Sequence, residues 1–142
     1  MVWEWANDPA IRQSSFSSEP IPWETHQAWF DSMLTDSNCL FLIIIENGQP
    51  VGQVRFKIKD LQAIISVSLD QAKRGMGLGS KVIGMASRYL VQSNHSGVVH
   101  AYIKPENLAS VRSFIKAGFV FFQETEINDH LALDYVFTLE QA

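Results

Sequence analysis

The stretch "QAIISVSLDQAKRGMGLGSKVIGMASRYL", residues 62–90, narrows the possible folds more than any other part of this chain. Its first third alternates in the manner of a strand. Val82, Ile83, Ala86, Tyr89 and Leu90 then recur at helical spacing, with Lys81, Arg88 and Gln92 turned away from that stripe. Between the two lie Gly75, Gly77 and Gly79, at every second position. A strand that feeds a helix through such a turn aims successive backbone N–H groups outward, and the helix start adds positive potential, so the turn is suited to an anion. Glycine serves there because a Cβ would hold a phosphate off the backbone or forbid the turn.

The charges agree with this reading. The chain carries a net charge of −4, which argues against general affinity for nucleic acid or an anionic membrane. Yet Gln71 to Lys104 contains no Asp or Glu, while Lys73, Arg74, Lys81, Arg88 and Lys104 all fall inside it. A phosphorylated small molecule is the expected ligand. Two familiar phosphate loops fail on residue identity. A Walker A loop opening at Gly75 needs Gly at 80 and Ser or Thr at 82, where Ser80 and Val82 stand. A dinucleotide fingerprint from the same glycine needs Gly or Ala at 80 and an acidic residue about twenty positions on, and the acid-free block supplies none.

At 142 residues and 46% hydrophobic, the chain can bury one ordinary core, so a single domain over 1–142 is expected. Cys39 is the one cysteine, which excludes a disulfide within the chain and fits a cytoplasmic setting. The apolar run from Cys39 to Ile45 is too short to span a bilayer, and the opening "MVWEWANDPA" lacks the pattern of a signal peptide. Helices are predicted around "VWEWA" and "DPAIRQ", and from Trp23 to about Thr35. "CLFLIIIE" reads as a strand buried on both faces. Asn47-Gly48 turns it into the antiparallel strand "PVGQVRFKIK", where Arg55, Lys57 and Lys59 alternate with apolar residues as on a half-exposed face. After the loop and its helix come the strand "GVVHAYI", a helix in "PENLASVRSFIKAG" with Val111, Phe114 and Ile115 inward, and two last strands either side of Asn128-Asp129. This order predicts an α/β (α+β) fold with a mixed, mostly antiparallel central sheet and helices on both faces.

Arg74-x-x-Gly77-x-Gly79, preceded by the strand "SVSL", resembles the acetyl-CoA loop of the GNAT N-acetyltransferase superfamily. Asn107, Ser110, Phe114, Lys116, Gly118 and Phe119 in "NLASVRSFIKAGF" resemble the second motif of that family, in the correct order and about thirty residues on. The resemblance implies that the diphosphate of coenzyme A lies on the amides from Arg74 to Ser80, Gly75, Gly77 and Gly79 among them. Pantetheine would run beside Val67 and Leu69, with Asn107, Ser110 and Phe114 on its other side. The thioester would sit in a gap between two splayed parallel strands, near a backbone N–H at Leu69 able to stabilise an oxyanion. Relatives often carry a Tyr where this chain has Phe114, so Tyr102 or water is expected to protonate the departing sulfur. His26 is the candidate base, since imidazole titrates near neutrality. His95, His100 and His130 lack metal-ligand spacing, so no metal is expected.

Relatives open with a strand before the first helix, and here Met1 leads straight into "VWEWANDPAIR". With that first strand missing, the resemblance implies either a piece of a larger protein or an edge at "CLFLIIIE" covered by an upstream domain or a second copy. "WANDPAIRQSSFSSEPIPWETHQAWF" also resembles the start of acetyltransferase domains of pseudaminic acid synthesis, including those fused to a nucleotide-sugar hydrolase. The acceptor implied is the amino group of a nucleotide-linked sugar, with Arg12, Phe16, Trp23, His26 and Trp29 helping to shape its pocket. Acetylation of a protein or peptide amine, and a non-catalytic module that only binds coenzyme A, are the alternatives.

Overall fold

The computed structural model describes residues 2–14, 20–74, 77–93 and 97–139. Its elements follow the expected order: α1 (Val2–Ala6), α2 (Pro9–Ser14), α3 (Trp23–Thr35), β1 (Cys39–Glu46), β2 (Gln49–Lys59), β3 (Gln62–Leu69), α4 (Leu78–Gln92), β4 (Val98–Ile103), α5 (Leu108–Lys116), β5 (Val120–Ile127) and β6 (His130–Phe137). A short 3-10 turn, Gln71–Lys73, precedes the glycine loop. The six strands form one sheet in the order β1-β2-β3-β4-β6-β5. Every neighbouring pair is antiparallel except β3 and β4.

Three two-residue hairpins set the registers. Asn47 and Gly48, Asp60 and Leu61, and Asn128 and Asp129 all have positive φ, as the turn that matches strand twist requires. Leu61 is the odd member, since a branched side chain gains nothing from the left-handed region. Gly52 has a different task. A Cβ there would stand 2.5 Å from the Ser68 carbonyl oxygen and 2.9 Å from Leu69 Cδ2, so only glycine lets β2 lie this close to the end of β3. The β1–β2 register also shifts beside it, between Ile44 and Ile45.

One face of the sheet packs against α4 and α5. Val54, Phe56, Ala63 and Ile65 meet Ile83, Ala86, Leu90 and Phe114 in the main core, which Val99, Phe119 and Phe137 complete. Gly84 lies where the two helices meet, and a Cβ on it would touch the Ala117 carbonyl oxygen at 3.4 Å, an ordinary contact that leaves little room for anything larger. The helical stripes are narrower than predicted. Tyr89 and Ile115 are exposed, and Gly84 and Ser87 take the buried places beside the Ile83 row of α4. Across the sheet, α1 packs on β2 and β3, and α3 covers the first half of β1, where Phe41 meets Trp29 and Phe30 edge-on.

β1 departs from the expectation of burial on both faces. It forms one edge of the sheet, and Ile43 and Ile45 on its second half are exposed because α3 reaches only as far as Phe41. No described helix is long and apolar enough to cross a membrane.

Candidate active site

β3 and β4 pair only at Gln62–Val98, Ala63–Val99 and Ile64–His100, after which they part. A cavity of about 550 Å³ lies in the opening. Val67 and Leu69 line it from β3, and Asn107, Ser110 and Phe114 line it from α5 and its start. Gly77, Gly79 and Arg74 close the end nearest the loop. The structure thus brings together most of the residues that the two sequence motifs assign to coenzyme A. Gly75 and Phe16 lie outside the described residues.

The loop end fits a diphosphate. Gly77 holds φ 77° as the N-cap of α4 and has no side chain to satisfy the first amides of that helix. With nothing within 4 Å of the place its Cβ would take, conformation alone makes glycine necessary. Ser80 donates its hydroxyl to the Gly77 carbonyl at 3.1 Å, and its backbone N–H belongs to the first helical turn, whose amides have no partner within the helix. It also lines a second, smaller depression beside Lys81, Arg88 and Lys116.

Arg74 works differently from a plain cationic loop residue. Its Nε and Nη2 donate to the Leu69 carbonyl at 3.1 and 2.9 Å, and its Nη1 meets Asp8 Oδ1 at 3.1 Å. The guanidinium therefore fixes the end of β3 and ties it to the residue that precedes α2. Lys73 pairs with Glu46 at 2.7 Å, so two cations of the acid-free block are matched by carboxylates from distant parts of the chain. Asn107 serves its helix as well as the cavity, since its side chain accepts from the Ser110 N–H at 3.2 Å. Phe114 is both lining and core, edge-on to Phe119.

On the other wall stand Tyr102, Arg12 and Arg55. Tyr102 stacks on His100, whose Nδ1 is 2.9 Å from Asp134 Oδ1. Burial raises the Tyr102 pKa above the ordinary phenol value, and the Asp134 charge adds to the effect, so the hydroxyl stays protonated through neutral pH. Arg55 lies opposite Ser66 in the β2–β3 register, and its guanidinium sits 4.8 Å from the centre of the Trp29 ring. It is directed into the cavity, where the alternating pattern had suggested a solvent-facing cation like Lys57. No local sequence signal marks the difference, because α3 and its Trp29 come from elsewhere in the chain.

His26, Trp23 and Trp29 do not line the cavity. His26 is buried between Trp23 and Phe30, stacked on both, and burial lowers its pKa, helped by the charge of Arg55. Trp23 is half-exposed and meets Trp3 edge-on. Ser68 is engaged with Gln53 Nε2 at 3.0 Å, while Ser66 faces the cavity. Among the described residues no group of three or more His, Cys, Asp or Glu could hold a metal ion.

A family model described as an acetyltransferase (GNAT) domain matches residues 1–120. A protein of Bacillus subtilis (strain 168) with the provisional name phosphinothricin acetyltransferase YwnH is 28% identical over 116 residues, covering 78% of this chain and 70% of the relative. Among solved structures, the aminoglycoside acetyltransferase AAC(6')-Ib in complex with coenzyme A aligns with a TM-score of 0.84 at 21% identity, over 99% of this chain and 89% of that one. The spermidine N-acetyltransferase of Vibrio cholerae, in complex with CoA and spermine, aligns with a TM-score of 0.85 at 15% identity, over 99% and 89%.

Proposed function

Because the chain belongs to the GNAT acetyltransferase family and is an acetyl-CoA-dependent N-acetyltransferase, we propose that its acceptor is a small-molecule primary amine, the amino group of a nucleotide-linked amino sugar. The observation that supports this reading most is a single cavity that joins the donor loop to the wall formed by α2 and β2. At about 550 Å³ it falls within the range of drug-sized ligand sites, and Ile11 and Arg12, from the N-terminal segment whose sequence resembles the amino-sugar enzymes, line it.

When bound, acetyl-CoA supplies an activated acetyl thioester. All but one of the remaining tasks fall to groups of this chain. The amides from Gly77 to Ser80 receive the diphosphate, and Asn107, Ser110 and Phe114 flank the pantetheine arm. Arg74 keeps the end of β3 in place, so that a backbone N–H near Leu69 meets the oxygen on which negative charge develops. Tyr102 Oη holds a proton for the sulfur that departs. The described lining contains no carboxylate and no imidazole, so the amine proton is left to water.

Free thiol release from acetyl-CoA, measured with amino sugars, nucleotide-linked amino sugars, peptides and polyamines, tests the proposal. Turnover highest with a nucleotide-linked amino sugar supports it. Activity confined to peptides rejects the acceptor, and stabilisation by acetyl-CoA with no product from any amine points to a binding module.

A further inference from the structure

The acceptor wall carries a guanidinium, Arg55, that is not matched by a carboxylate among the described residues. Arg55 and Arg12 line the same cavity, and none of the described residues around that cavity is an Asp or Glu. Arg55 has no carboxylate within ion-pair distance among the described residues. What it has is the face of Trp29 at 4.8 Å, which offsets only part of the cost of withdrawing a guanidinium from water. Burial lowers the pKa of both arginines, and the charge of Arg12 adds to the effect on Arg55. A guanidinium withdrawn from water with no carboxylate beside it is unfavourable until an anion enters the site.

The diphosphate of the donor is not that anion. Arg55 shares its face of the sheet with Gln53, Ser66 and Ser68, while the opposite face, with Val54 and Phe56, carries α4. The amides at the start of α4 already provide for the donor. On the acetyltransferase reading above, we infer that the acceptor amine also bears an oxyanion, a phosphate or a carboxylate, and that Arg55 with Arg12 beside it recognises that group. A planar guanidinium suits either oxyanion through paired N–H donors. Polycations are disfavoured: spermine, the ligand in the Vibrio cholerae structure, would meet two arginines here. The same charges lower the pKa of an ammonium brought near them, which raises the fraction of reactive neutral amine where no side-chain base is at hand.

The test compares acceptors that differ by one charge. Glucosamine is paired with glucosamine 6-phosphate, and an amino acid with its amide, and kcat/KM for thiol release is measured for the wild-type chain, Arg55→Lys and Arg55→Met. The charged member of at least one pair should be preferred by roughly tenfold to a hundredfold, the size of a charge-assisted contact. That preference should shrink in Arg55→Lys and approach one in Arg55→Met, and the pair that responds separates phosphate from carboxylate. Equal use of charged and neutral members, a polyamine as the best acceptor, or an unchanged ratio in Arg55→Met overturns the inference. So does weakened coenzyme A binding in Arg55→Met as the main defect. If no amine in the panel turns over, phosphate, pyrophosphate and acetate are titrated into the coenzyme A-saturated protein, and absence of heat from all three overturns it. Should Arg55→Met not fold, the wild-type ratios and Arg55→Lys still decide. The two levels separate cleanly, because loss of coenzyme A binding by the wild-type chain removes the acetyltransferase reading, whereas acetylation of neutral amines alone removes only the role of Arg55.

Discussion

Replacing Gly52 by Ala probes the link between sheet geometry and the donor site. The new Cβ would sit 2.5 Å from the Ser68 carbonyl oxygen, and since carbon–oxygen contacts close no nearer than about 3.3 Å, the strands must part by about 0.8 Å. The obstacle is backbone, so no rotamer change relieves it. Forced overpacking of this kind costs about 1–3 kcal/mol, which for a chain of this size lowers Tm by roughly 3–12 °C. The displaced segment is the Ser68–Leu69 end of β3, which lines the donor cavity, so coenzyme A affinity should fall several-fold as well. Gly97→Ala is the control: its Cβ would meet the Leu61 carbonyl oxygen at 3.7 Å, an ordinary contact, and both Tm and affinity should hold. Differential scanning calorimetry and titration calorimetry with coenzyme A supply the two readouts. A Gly52→Ala protein as stable as wild type, with undiminished affinity, would refute the reasoning.

Tyr102→Phe should lower kcat by roughly tenfold to a hundredfold, the low end for a general acid because a thiolate needs less help than an alkoxide. KM for acetyl-CoA should change little, and the alkaline limb of the wild-type kcat profile should lie above the ordinary phenol pKa of 10.0; a full-speed variant would remove the proton-donor role. His26, with a pKa below 6.5 when folded, binds fewer protons than the unfolded chain from that lowered value up to about 6.5, so stability falls as pH drops through the window. Tm should therefore decline less between about pH 7.5 and about pH 5.5 in His26→Phe than in wild type; equal declines would show that His26 contributes nothing to acid sensitivity. Leu61→Asn places a residue tolerant of positive φ in an exposed turn and should raise stability by ~1 kcal/mol in urea unfolding, whereas no gain would mean the turn is unstrained.

Local periodicity made much of the fold legible. The strand "QAIISVSL" occupies Gln62–Leu69 as read, and each Asn or Asp turn falls between the strands it was expected to join. The side of the cavity proposed to take the donor was legible too, because its residues lie in two short motifs whose spacing fixes them on a loop and one helix. The acceptor side was not. Arg55 and Lys57 look alike in an alternating strand, and only the distant Trp29 decides that one faces a cavity. The chemistry of His26 suits a base, yet three aromatic neighbours, each about one helical turn away, claim its ring. The Asp8–Arg74 pair spans 66 positions, beyond any local pattern. Gly52 did carry a signal, since glycine inside a strand often marks close approach of another backbone.

Three residue pairs join the β1–β2–β3 half of the sheet to the β4–β6–β5 half. Past them the halves stand apart like the leaves of a book, and the contact of α4 with α5 acts as its spine. Gly84 forms that spine where it meets Ala117. A bulkier residue at this hidden helix crossing would pry the leaves wider and spoil the grip on a thioester arm without touching a single group that contacts it.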